Sequence, residues 1–287
     1  MLWILSVLVT GITSNVNLVP TVILLGSFLV PVTAVTYYLD HSPSVSVSRQ
    51  RIFFAFVYGG VLGVLAAAVL EAWLLQDGPL IYLGVGLIEE LAKLIALLLV
   101  AWGIRRHTMR DGIVLGAAVG FGFAAFESSG YALNALFTMR GLSLVNLVFT
   151  EVLRGILAPV GHGLWTGILG GVLFQVAARK GRLAFSRQLL GAYLGVSLLH
   201  GLWDSMRGIA ILLTLVATSS PALVELSRDG LLPRAERTNT WIFLAFEFGG
   251  MVVLSAIGLA LLTSFWRRSG REEPSPGPAG LSSPEAR

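Results

Sequence analysis

The sequence predicts an all-α protein, a polytopic transmembrane bundle of about seven to eight helices. Three observations carry that expectation. Hydrophobic residues fill 55% of the 287 positions and charged residues only 13%, about half of the roughly 25% that keeps a soluble surface wet. Mean hydropathy is +0.80. Apolar runs near the ~20 residues needed to cross a bilayer recur along the whole chain.

The first run, Met1–Ile12, is too short to cross alone and reads as an interfacial or re-entrant segment. No Lys or Arg precedes Arg49, so it lacks the positive start of a cleavable signal peptide. Seven longer spans follow: Leu18–Leu39, Ile52–Leu75, Leu80–Trp102, Gly112–Phe137, Leu144–Ala177, Leu189–Val216 and Trp241–Trp266. Pro159 interrupts the fifth, which should kink there or lie partly along the interface.

Positive charge tests the count independently. With the first full span entering from outside, Arg49, Arg51, Arg105, Arg106, Arg110, Arg179, Lys180, Arg182, Arg187, Arg267, Arg268, Arg271 and Arg287 fall on the cytoplasmic side. Arg140, Arg228, Arg234 and Arg237 fall outside, while Lys93, Arg154 and Arg207 lie within or near spans. Thirteen against four is the asymmetry expected of cytoplasmic loops, and it places the C-terminus in the cytoplasm and the protein in a cell membrane, a bacterial plasma membrane by its arginine-rich usage.

The chain divides into one transmembrane domain, 1–266, and a Pro/Ser/Gly-rich tail, 267–287, expected to be disordered. The segment 219–239, SSPALVELSRDGLLPRAERTN, mixes charges with leucines as a surface helix would. Gly116/Gly120, Gly163/Gly167/Gly171 and Gly191/Gly195 recur at every fourth position, a spacing that lets helix backbones approach in lipid. The absence of cysteine excludes thiol catalysis, thiolate metal sites and disulfides. The net charge of +4 sits mainly in loops, where it reports topology; the expected partners are the bilayer and a membrane protein or lipid-anchored peptide, with no nucleic acid.

Against this background GLIEELAKLI, Gly86–Ile95, is anomalous, because it puts two acids and a lysine inside an apolar run. An ionised side chain at the bilayer centre costs about 2.5–3.5 kcal/mol on insertion scales. Glu89 lies about 13 Å along the helix from Leu80, close to the middle. Helical spacing reduces the cost, since Glu89 and Lys93 are i,i+4 and Glu90 and Lys93 are i,i+3. One lysine neutralises only one charge, leaving a second carboxyl for proton transfer.

Other spans deliver further polar groups to a comparable depth: Glu127 in GFGFAAFESSGY, His200 and Asp204 in SLLHGLWDSM, and His162 in APVGHGLWTGILGG. Asp204 is spaced to fix the His200 tautomer, or to pair with Arg207 at i+3. His162 is readable as a ligand or as a hydrogen-bonding helix contact. Glu127 has no cation in its own helix and needs one from another. Glu71, Glu151 and Glu247 lie nearer span ends and read as structural. Carboxylates and imidazoles suit water activation, with zinc a matching metal if one is used. There is no HExxH, and ESSG at Glu127–Gly130 lacks the first glycine of a GxSG loop.

EELAK (Glu89–Lys93), FAAFES (Phe123–Ser128) and HGLWD (His200–Asp204), in that order on successive spans, resemble the EExxK, FxxxE and HxxxD motifs of PrsW-type intramembrane proteases. These form a branch of the superfamily that includes CAAX prenyl endopeptidases and bacteriocin-processing proteins. The resemblance runs from about Val30 to Trp266, with Ser128 standing where the family commonly has Asn. It implies an endopeptidase cutting membrane-embedded or membrane-proximal substrates. It makes Glu89 and Glu90 the water-activating acids and Lys93 their partner. Glu127, His200 and Asp204 become the opposing groups that hold a metal or stabilise the oxyanion. His162 matches a histidine often found before a Gly-rich helix, which makes His162, His200 and Glu127 the expected metal ligands. The rival expectations for the same cluster are a proton-coupled transporter and a non-catalytic scaffold.

Overall fold

The computed structural model describes residues 1–41, 47–218 and 239–269. The surface helix expected in 219–239 therefore lies outside the described residues except at its last position, as do Arg228, Arg234, Arg237 and the tail from residue 270 on. Apart from one hairpin of two-residue strands, the regular structure of the described residues is helical: α1 (Leu2–Thr13), α2 (Val19–His41), α3 (Arg49–Leu74), α4 (Ile81–Ala101) and α5 (Met109–Leu136). The hairpin, β1 (Phe137–Thr138) with β2 (Gly141–Leu142), turns the chain into α6 (Leu144–Leu157). Then come α7 (His162–Lys180), α8 (Arg187–Asp204), α9 (Met206–Ala217) and α10 (Thr240–Ser269).

Five helical runs among the described residues are long and apolar enough to cross a membrane, and large apolar side chains project outward all along them. The chain is a multi-pass membrane bundle. α4, at 21 residues, has the length but carries Glu89, Glu90 and Lys93. Pro159 breaks the fifth expected span, as its sequence requires: a 3-10 turn at Ala158–Val160 separates α6 from α7. The sixth, expected to be continuous over Leu189–Val216, is also broken. Ser205, a turn residue between α8 and α9, donates through Oγ to the Gly201 carbonyl at 2.6 Å, the back-bonding that accompanies helix interruptions.

α5 is the axis of the bundle. Of its most apolar window 83% is buried, against 17–39% in the other four candidate spans. It packs between α3 and α7, while α4 bridges α3 and α8. Glycine makes these crossings possible. A Cβ on Gly112, Gly116 or Gly120 would collide with the carbonyl of Gly170, Thr166 or His162 respectively, an antiparallel register in four-residue steps. Gly86 in α4 meets the Ser197 carbonyl and Gly201 in α8 in the same way. Gly191 and Gly195 face open space instead, so their spacing does not mark a close contact.

The arginines gather at one end of the bundle. Arg51 Nη1 donates to the carbonyls of Val100 (3.0 Å) and Trp102 (2.8 Å), tying the start of α3 to the end of α4. The Arg110 guanidinium lies 4.3 Å from the Trp266 ring, tying the start of α5 to the end of α10. At the other end, Trp3 Nε1 donates to Glu151 Oε2 at 2.9 Å and fastens the short α1 to α6. This is the structural role expected of Glu151.

The glycine register gives a direct test. Gly116→Ala should lower unfolding stability in detergent by roughly 1–3 kcal/mol through forced separation of α5 from α7. Gly191→Ala, with nothing within 4 Å of its Cβ position, should be neutral or slightly stabilising. Equal losses for the two would contradict the packing described.

Candidate functional site

Three helix contacts set the depth of the polar residues. Gly86 lies one turn before Glu89 and Glu90, and Gly201 adjoins His200, so the α4–α8 crossing aligns these side chains. Gly120 against the His162 carbonyl aligns α5 with the first residue of α7. At 1.5 Å per residue, Glu89 is about 18 Å from the arginine-bearing end of its helix, and Glu127 and His162 about 27 Å from theirs. The layer therefore lies beyond the middle of the bundle. Glu127 sits deeper than the sequence suggested because α5, capped by the Thr108 side chain, begins three residues before the expected span.

Lys93 is at the centre, fully buried. Its ammonium donates to Glu89 Oε2 at 3.2 Å and Glu90 Oε1 at 2.9 Å, and it lies 2.8 Å from His162 Nδ1. An ammonium has three N–H donors, and these three acceptors use them all. The Phe123 ring, 4.0 Å away, closes the remaining side. The two acids differ in access: Glu90 is fully buried, whereas Glu89 reaches a cavity of about 410 Å³.

His200 has carboxylates at both ring nitrogens. Nδ1 is 3.0 Å from Glu90 Oε1, and Nε2 is 3.3 Å from Asp204 Oδ2 and 3.5 Å from Glu89 Oε2. Of the two pairings open to Asp204 in the sequence, the structure thus has the one with His200. Arg207 reaches Glu247 at 3.8 Å. Trp165 flanks both imidazoles, its ring 4.7 Å from that of His200 and 5.5 Å from that of His162, and the two imidazoles are 4.9 Å apart.

Glu127 takes its cation from another helix. Arg154, on α6, pairs with Glu127 Oε2, donates through Nε to Ser128 Oγ at 2.8 Å, and lies 4.1 Å over the Tyr131 ring. His162 Nε2 meets the same Glu127 oxygen at 3.0 Å. All seven residues singled out in the sequence therefore join one connected cluster. The cluster also holds Arg154, Trp165 and Tyr131, which sequence reasoning did not select. Arg154 could have been found as a cation inside an apolar stretch; Trp165 and Tyr131 carry no such mark.

Glu127, Tyr131 and Asp204 line both the larger cavity and a crevice of about 70 Å³ reaching the 3-10 turn. Glu71, read from the sequence as a span-end residue, opens into the larger cavity opposite Glu89. His107 takes no part. It lies in the loop before α5, edge-on to Phe174 with ring centroids 5.3 Å apart, where burial holds its imidazole below the usual range.

The cluster contains a donor set for a metal. Glu89, His162 and His200 each offer one ligand atom, all within 4.8 Å of one another. Two imidazoles and a carboxylate suit a catalytic zinc, with a position left for water. Each imidazole also has a carboxylate on its other nitrogen, the arrangement that orients metal-bound histidines. The triad differs in one member from the set expected from sequence, because Glu127 stands behind His162 with Arg154 while Glu89 faces the two rings.

The family model described as PrsW family intramembrane metalloprotease matches residues 48–225, from the cap of α3 to beyond α9. No curated protein and no solved structure matches the chain.

Lys93 uses the His162 and Glu89 lone pairs that a metal would need. Lys93→Met should therefore raise zinc affinity at least tenfold, measured by calorimetry on the purified chain in lipid nanodiscs. Without metal the variant should be less stable, since breaking a buried pair typically costs about 3–5 kcal/mol, and added zinc should restore its melting temperature. Unchanged zinc affinity would show that the ammonium does not compete for those donors.

Proposed function

The chain belongs to the PrsW family of intramembrane metalloproteases, and from that premise we propose that it cleaves a peptide bond within or beside the membrane, with Glu89 handling the attacking water. The observation that carries the assignment is the difference in access between the paired acids. Glu90 spends its Oε1 on Lys93 and His200 and is sealed from solvent. Glu89 opens into the 410 Å³ cavity.

In the proposed step Glu89 accepts a proton from water as the oxygen bonds to the scissile carbonyl carbon. The carbon–nitrogen bond then breaks, and the proton passes from Glu89 to the departing amine. Lys93 places a cation 3.2 Å from the Glu89 carboxylate, opposite the side that opens to the cavity. Glu90 holds His200 by Nδ1, so that Nε2 faces the same space as Glu89. Trp165 packs on the His200 ring and Phe123 covers the Lys93 ammonium, apolar neighbours that strengthen the charge interactions they border. Zinc would be held by the two imidazoles, His162 and His200, which leaves the Glu89 carboxylate to take the proton, and it would polarise the carbonyl and acidify water.

The substrate class follows from the surroundings. The cavity is walled by α3, α4, α5 and α8 within the bundle, which suits a transmembrane segment or a lipid-anchored peptide locally unwound there. The gathered arginines support a cytoplasmic C-terminus in a bacterial cell membrane.

Reconstituted in liposomes with zinc and a set of membrane-anchored peptides, the chain should cleave at least one of them. Glu89→Gln and His200→Ala should each lower the rate by roughly 10²–10⁴-fold, the usual contribution of a positioned acid or base. Undiminished cleavage in Glu89→Gln would overturn the assignment of the water-handling acid. Proton flux without any cleavage would favour a relay function for the same cluster.

A further inference from the structure

The contacts of His162 settle which of its nitrogens carries the proton. Lys93 Nζ lies 2.8 Å from Nδ1, and an ammonium can only donate, so Nδ1 presents a lone pair. On the other side Nε2 lies 3.0 Å from Glu127 Oε2, an oxygen already paired with the Arg154 guanidinium. Arginine does not give up its proton in proteins, so Glu127 is an acceptor and Nε2 is the donor. Two contacts from different helices require the same tautomer.

The backbone alone does not hold this ring. His162 is the first residue of α7, immediately after the 3-10 break and Gly161. Arg154 lies on the other side of that break, on α6. Its guanidinium is fixed three ways, by Glu127, by Ser128 Oγ at 2.8 Å and by the Tyr131 face at 4.1 Å. Arg154, Glu127 and His162 thus form a strap across the interruption between α6 and α7, anchored on α5.

We propose that Arg154 is a positioning residue for the hydrolytic centre: it pins the Glu127 carboxylate against His162 Nε2–H, so that the Nδ1 lone pair faces Glu89, Lys93 and His200. Its effect on rate rests on the proteolytic function proposed above, whereas its effect on the ring is a property of the folded chain. Lysine can supply the charge but not the fork that holds Glu127 and Ser128 together. Outer partners of this kind typically contribute about 10–100-fold to metal affinity or activity.

The test reads the imidazole directly. The full chain, labelled with ¹⁵N-histidine and placed metal-free in nanodiscs, gives His162 resonances that His162→Gln identifies. The wild type should show His162 almost wholly as the Nε2–H tautomer. Because the Lys93 contact demands the same tautomer, the tautomer is read in Lys93→Met, where Nε2–H should persist; adding Arg154→Met to that variant should give a mixture. In the otherwise wild-type chain Arg154→Met should lower kcat about 10–100-fold with KM within about twofold, and Arg154→Lys should retain part of the rate. Should the Arg154→Met chains fold poorly, Arg154→Gln keeps a hydrogen bond to Ser128 without the charge and should give the same tautomer mixture in the Lys93→Met background. A wild-type tautomer in the Lys93→Met chain carrying Arg154→Met or Arg154→Gln overturns the proposal, even if the rate falls. If the wild type cleaves no peptide, the hydrolytic reading fails separately and the resonances alone decide whether Arg154 sets the ring.

Discussion

Everything in the bundle answers to one buried ammonium. Lys93 has no access to solvent, and in a hydrocarbon surround its charge must be met inside the protein. Its three N–H groups meet Glu89 and Glu90 from its own helix and His162 from α7. Phe123 from α5 covers it. The pairing within α4 is local and could form in an isolated helix. The contact with His162 could not. It requires the start of α7 to reach the middle of α4, which a straight span in place of α6 and α7 would not deliver there. The break at Pro159 is therefore part of how the charge is satisfied, since it sets His162 at a helix start within the bundle.

The precision needed for such contacts comes from backbone, not from side-chain packing. Lipid tails are as apolar as leucine, so no hydrophobic drive brings these helices together, and close approach at small residues has to do it. The α5–α7 register through Gly112, Gly116 and Gly120 places the His162 carbonyl against α5. The contact of Gly86 with Ser197 and Gly201 places His200 beside Glu90. A side-chain interface can slip by a rotamer. A carbonyl against a glycine cannot, because any displacement meets hard-sphere overlap. The glycines act as depth markers for the polar layer.

This explains what the sequence revealed and what it withheld. Helices, the polar layer and the Pro159 break follow from local signals: hydropathy, helical spacing and a missing N–H. EELAK, FAAFES and HGLWD were legible because a charge in an apolar run is conspicuous by itself. Partnerships between helices were not. Nothing in the spacing of Asp204 distinguishes His200 from Arg207, since both lie within reach on one helix; the turn at Ser205 decides, by sending Arg207 onto α9 toward Glu247. Glu127 announced its need for a cation, but the identity of that cation depends on α6 lying against α5. Gly191 and Gly195 have the spacing of a contact face and, among the described residues, no helix against it. Glu71 looked like a span-end residue, and the structure has it on the wall of the same cavity as Glu89.

The two imidazoles have the same design with opposite exposure. His200 is backed by Glu90, which no solvent reaches, and His162 by Glu127, which forms part of the cavity wall. Each carboxylate fixes its ring, so the difference between them concerns access. On the Glu90 side the close α4–α8 contact leaves the carboxylate no exposed surface. On the Glu127 side, Glu127, Tyr131 and Asp204 are shared by the cavity and the crevice. Arg154 itself lines the crevice and not the larger cavity, so the pair touches the space in front of Glu89 through the Glu127 carboxylate alone. Holding His162 and bounding the crevice are two consequences of one placement, because the guanidinium that pins Glu127 also lies over Tyr131. Any change that loosens it alters the ring and the crevice together.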